Sequence, residues 1–118
     1  MTIKTFVLGL VSATIILAGC ISSSGRRGGL TTAQVEKIPK ELVSNYVLFS
    51  KRCSRCHTLS RPINAPISSV QHWVAYVNRM RLNPGSGISP KDAERIVRFL
   101  DHWSSHRDEI LSGSEENK

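Results

Sequence analysis

The sequence predicts an all-α domain of roughly eighty residues, and three observations carry that expectation. Apolar residues recur at helical spacing in three separate stretches, Pro, Gly and Ser cluster between them, and no stretch alternates apolar and polar residues as a half-buried strand would. The chain has 118 residues, 40% of them hydrophobic and 21% charged, which is the balance of a globular protein and leaves room for one core. A domain of that size buries a modest share of its surface and gains much from a cofactor or a covalent link.

Lys4 and the apolar run from Phe6 to Ala18 read as an export signal, because the run is too short to span a bilayer comfortably. It closes on Leu17-Ala18-Gly19-Cys20, which resembles the lipobox of bacterial lipoproteins. That resemblance implies a signal peptide over residues 1–19 and a lipid-modified Cys20 as the first mature residue. It also implies a cell-envelope, periplasm-facing location, with the outer membrane favoured because Ile, not Asp, follows the cysteine. Residues 20–36 then form a Gly/Ser-rich tether without apolar period, 37–111 the folded domain, and 112–118 a polar tail.

The first helical pattern follows Pro39, where Leu42, Tyr46, Phe49 and Cys53 fall on one face. Val70, Trp73, Val77 and Met80 form the second, and Pro84-Gly85-Ser86-Gly87 stops it. The third opens at Ser89-Pro90, with a capping hydroxyl, a proline at the first helical position and Asp92 at the positive end of the dipole. It continues through Ala93, Ile96, Val97, Leu100 and Trp103 on one face.

The chemistry is concentrated in Cys53-Ser54-Arg55-Cys56-His57, the C-x-x-C-H signature of covalent haem attachment. Cysteines three apart on a helix lie one turn apart and point the same way, so both thiols can add to the two vinyl groups of one porphyrin. His57 stands four residues after Cys53, within reach of the iron. The same letters also serve a redox dithiol, a zinc site or a short disulfide. The first needs the pair at a helix start in a βαβ unit, and the second a further ligand that only His72, His102 or His106 could supply. A disulfide closing so short a loop stabilises little.

With these residues in place, the segment from about 42 to 104 resembles a small class I cytochrome c. In that family an aromatic residue on the first helix precedes the motif, as Phe49 precedes Cys53, and a last helix crosses the first, as Ile96 to Leu100 would, with Phe99 or Leu100 at the crossing. The resemblance implies a cytochrome c fold, three main helices around one covalent haem c, and axial ligation by His57 and Met80. It also implies that Trp73 packs in the haem pocket and that the carbonyl of Pro62 or Pro66, the latter preferred, holds the His57 ring. Only 22 residues separate His57 from Met80, so the loop beneath the haem edge is shorter than in the mitochondrial type.

The function implied is single-electron transfer between redox partners, with no bond-making catalytic residue; the alternative is a haem sensor or weak peroxidase with an open sixth site. Formal charge is +7, and +6 for 15 Lys and Arg against 9 Asp and Glu once Lys4 leaves with the signal. In an exported protein without interleaved aromatics this basicity argues for an acidic protein partner or an anionic membrane, not nucleic acid.

Overall fold

The computed structural model describes residues 28–113, and these are helical with no strand. The lipobox at Leu17 to Cys20, most of the tether and residues 114–118 lie outside the described residues. Five helices follow in order: α1 (Thr32–Glu36), α2 (Lys40–Cys53), α3 (Ser60–Ile63), α4 (Val70–Leu82) and α5 (Pro90–Ser112). None is long and apolar enough to cross a membrane.

The longest helix, α5, organises the rest. Its start is fixed locally: the Ser89 hydroxyl accepts from the Asp92 N–H, the Asp92 carboxylate accepts from the Ser89 N–H, and Pro90 occupies the first turn. From there it packs against α2, α3 and α4. Phe99 is its contact with α2, with ring centroids 5.0 Å from Phe49 and 5.2 Å from Tyr46. Phe49, Phe99 and the neighbouring Leu100 are all fully buried. Each such side chain contributes about 1.5–3 kcal/mol by leaving water, and a tilted aromatic pair adds about 0.5–1.5 kcal/mol.

Further along, α5 ties down the chain between α3 and α4. The Trp103 indole donates to the Ile63 carbonyl at 2.9 Å and Arg107 donates to the Ala65 carbonyl at 3.2 Å. Trp73 on α4 is fully buried, and its indole donates to the Ser104 hydroxyl at 3.0 Å. Val77 is buried beside it, whereas Val70, expected on the same face, is exposed at the first turn.

The fold begins earlier than the expected boundary at residue 37. Leu30 is buried in the core, and its N–H donates to the Tyr46 hydroxyl at 2.9 Å. A capping box between Thr31 and Gln34 then starts α1. The tether therefore ends before Leu30, because one buried leucine and one phenol anchor that end of the domain. At the other end Ile110 is buried and α5 reaches Ser112, one residue past the expected end of the domain.

Candidate functional site

Helix α2 delivers Cys53 as its last residue, and Ser54, whose N–H donates to the Ser50 carbonyl, closes it. Cys56 and His57 therefore sit in the turn after the helix, not on it as the spacing predicts, yet both line the same cleft as Cys53. To the same cleft α4 contributes Tyr76 and Met80, and the chain after α4 adds Asn83, Ser86 and Ile88. Pro62 of α3 forms the remaining wall. The cleft holds about 600 Å³ of free space, part of it open to solvent. The cavity proper measures about 150 Å³, below the roughly 300–1,000 Å³ usual for small-molecule sites.

Four of the five residues expected at the site thus meet: Cys53, Cys56, His57 and Met80. Trp73 does not line the cleft; it faces α5 and reaches the site only through Tyr76, whose ring meets it edge-on at 5.6 Å. The helical period explains the difference. Trp73 and Val77 turn towards α5, while Tyr76, Met80 and Asn83, at i, i+4 and i+7, form the adjoining stripe that faces the cleft. Pro66, the preferred support for His57, is exposed and away from the cleft, whereas Pro62 is buried in its wall. The His57 Nδ1 lies 2.9 Å from the Thr58 carbonyl, which can only accept, so Nδ1 carries the proton and Nε2 keeps its lone pair.

Burial, with a smaller contribution from the neighbouring Cys56, pushes the Cys53 thiol up to about 12. Such a thiol stays protonated at neutral pH, the opposite of the low-pKa thiolate that dithiol exchange requires. His72 is exposed on α4, and His102 and His106 line a different groove, so none of them joins the cysteines. Among the described residues no three His, Cys, Asp or Glu gather as a metal-ion cluster.

Two polar atoms in the cleft walls are buried without a hydrogen-bond partner, the Tyr76 hydroxyl and the Arg52 Nε. Burial raises the Tyr76 phenol, and Cys53 across the cleft raises it further. Orphaned buried donors are costly, at about 1–3 kcal/mol each, and here both belong to residues that line the cleft with the two thiols. A cofactor with carboxylate groups would satisfy them. Together with two thiols, an imidazole with a free Nε2, a thioether and apolar walls, this donor set fits a covalently attached haem.

Two arginines outside the cleft lining contact residues within it. Arg79 lies over the Tyr76 ring at 5.9 Å, and Arg55 donates to the Ser86 carbonyl at 3.4 Å. Gly87 allows that approach: its φ is +64°, and a Cβ there would stand 2.6 Å from the Arg55 guanidinium. Among the described residues, of Arg52, Arg55, Arg61, Arg79 and Arg81 only Arg52 pairs with a carboxylate, that of Asp92 at 3.4 Å.

Comparison of the chain with protein-family models, with curated proteins and with solved structures finds no match. The functional reading therefore rests on this geometry.

Proposed function

We propose that this protein is a lipid-anchored, mono-haem c-type cytochrome of the class I kind, an electron carrier whose haem is linked through Cys53 and Cys56. The observation that carries the proposal is the meeting of Cys53, Cys56 and His57 with Met80 across one cleft. Bound there, a haem supplies a one-electron Fe(III)/Fe(II) couple. His57, oriented by the Thr58 carbonyl, would hold the iron through Nε2. Met80 would offer a thioether, a ligand that favours reduced iron more than a second imidazole does. Pro62, Ile88 and the Tyr76 ring would give the group apolar walls that disfavour the extra charge of the oxidised state. Tyr76 and Arg52 supply donors for carboxylate groups. Electron transfer needs no acid, base or nucleophile, and the protein's work is to hold the ligands and shape the surface through which partners approach.

Met80 decides between a closed carrier and an open sensor or peroxidase. In the oxidised protein a weak far-red sulfur-to-iron band is expected, and Met80→Ala should remove it, lower the potential and open the iron to carbon monoxide. A wild-type protein that lacks the band and binds carbon monoxide readily would make the sensor or peroxidase reading the better one. Opening of the iron by His72→Ala instead would indicate two imidazole ligands.

A further inference from the structure

The connection between α4 and α5, residues 83–89, lends Asn83, Ser86 and Ile88 to the lining of the cleft. It starts on the last turn of α4, where the Asn83 N–H donates to the Met80 carbonyl at 3.2 Å. Ser86 ties it together. Its N–H donates to the Asn83 carbonyl at 3.1 Å, and its hydroxyl donates to the Arg81 carbonyl at 2.9 Å and accepts from the Ile88 N–H at 3.4 Å. Gly85 and Gly87 flank Ser86 at φ +77° and +64°, backbone angles that glycine alone adopts readily. Two arginines from the cysteine-bearing segment reach this connection. Arg55, between the two cysteines, donates to the Ser86 carbonyl at 3.4 Å. Arg52 stands beside Gly87, where a Cβ would lie 3.3 Å from one terminal nitrogen, and its other terminal nitrogen is 3.4 Å from the Asp92 carboxylate.

We propose that Arg55, with Arg52 beside it, is a clasp that fastens the α4–α5 connection to the cysteine turn and so sets how readily small ligands reach the group held in the cleft. The inference rests on the haem reading and adds to it a pair of positioning residues that act through the backbone at Ser86 and Gly87. The hydrogen bonds of Ser86 lie within α4 and the connection, so they survive if the connection moves as a unit. The Arg55 bond joins the connection to a different part of the cleft lining, and such a movement breaks it. A hydrogen bond from a charged donor shifts an equilibrium by roughly ten- to a hundredfold, so its loss should raise the open population by a factor of that order. Because the connection begins at the Met80 carbonyl, its opening also loosens the segment that carries the thioether.

The test uses the full-length protein as isolated, oxidised and mixed with cyanide at pH 7, where the probe is uncharged HCN and its approach does not depend on the charge of Arg55. Arg55→Ala should bind the probe about tenfold faster than wild type, read from the visible spectrum. Gly87→Ala should do the same, because its Cβ would stand 2.6 Å from the Arg55 guanidinium and displace it. Arg55→Lys, which keeps a charged donor, should restore most of the wild-type rate. Ile110→Ala, a core truncation at the far end of α5, controls for general loosening and should leave the rate unchanged. Wild-type rates in both Arg55→Ala and Gly87→Ala, an equal acceleration in Ile110→Ala, or wild-type binding already complete on mixing would each overturn the clasp. A colourless protein would instead overturn the haem reading, and the clasp is then read from the Cys53 thiol. Its alkylation should be about tenfold faster in Arg55→Ala, and an unchanged rate would sink the clasp as well.

Discussion

Tyr76 is the residue in the cleft that the helical pattern left out, and its phenol gives a sensitive test. Buried without a hydrogen-bond partner, it would be a liability unless a ligand group accepts its proton. In the haem-loaded protein, Tyr76→Phe should therefore lower stability by about 1 kcal/mol, read from denaturant midpoints. A gain in stability would mean that the hydroxyl stays orphaned and that the carboxylate groups lie elsewhere. Trp103 has a simpler role, because its indole is the donor to the Ile63 carbonyl. Trp103→Phe should cost about 1–3 kcal/mol by leaving that carbonyl unpaired, a fall of roughly 4–8 °C in melting temperature for each kcal/mol in a domain this size. Cys53, Cys56, His57 and Met80 were legible because a fixed spacing names the first three and the domain holds one methionine. Trp73 was expected in the cleft and Tyr76 was passed over, because they sit a turn apart on one helix and hydrophobic spacing alone does not say which stripe meets α5 and which the cleft. The i, i+4 relation between Tyr76 and Met80 was the available signal.

At the scale of elements, the long helices could be read from local chemistry and the short ones could not. Helices α2, α4 and α5 each combine a periodic apolar face with a stop or cap in the sequence, Pro39, Pro84-Gly85 and Ser89-Pro90 respectively. Helices α1 and α3 have five and four residues, too few for a period, and tertiary contacts fix them: Leu30 on Tyr46, and Ile63 on Trp103. The cap of α5 gives a pH-dependent prediction. Burial alone would raise the Asp92 carboxyl, but hydrogen bonds from Ser89 and the charges of Arg52 and Arg95 outweigh it and hold the carboxyl below the usual range. A carboxyl lowered on folding stabilises the protein above its unfolded value of about 3.9, and that contribution is lost as pH falls through the folded value. The stability difference between wild type and Asp92→Asn should thus be present at pH 6 and shrink below about pH 4. A difference that stays constant across that range would show that the charge of Asp92 contributes nothing to the cap. Ser89→Ala should cost about 1 kcal/mol at either pH.

For the whole molecule, Arg52 in the cleft wall, Arg55 and Arg79 against cleft residues, and the formal +6 that the proposed signal removal would leave suit an acidic redox partner. Attraction between opposite charges is screened over about 10 Å at 0.1 M salt, so electron uptake from such a partner should slow as ionic strength rises. A rate independent of salt would assign the charge another purpose, such as contact with anionic lipid. The proposed anchoring is tested at Cys20, where Cys20→Ala should block acylation and processing at this site, leaving the precursor or a protein cut elsewhere. Unchanged mass and partitioning would remove the lipoprotein reading. The proposed electron-transfer function depends on one claim, that Cys53 and Cys56 hold a haem covalently. The direct measurement is the intact mass of protein produced in cells with a c-type maturation system, followed by a gel after acid–acetone treatment. The account predicts the mass of one haem added to the chain, haem that stays with the polypeptide on the gel, and loss of both in the Cys53→Ala, Cys56→Ala double variant. A colourless wild-type protein, or haem that extracts freely into the solvent, would contradict it.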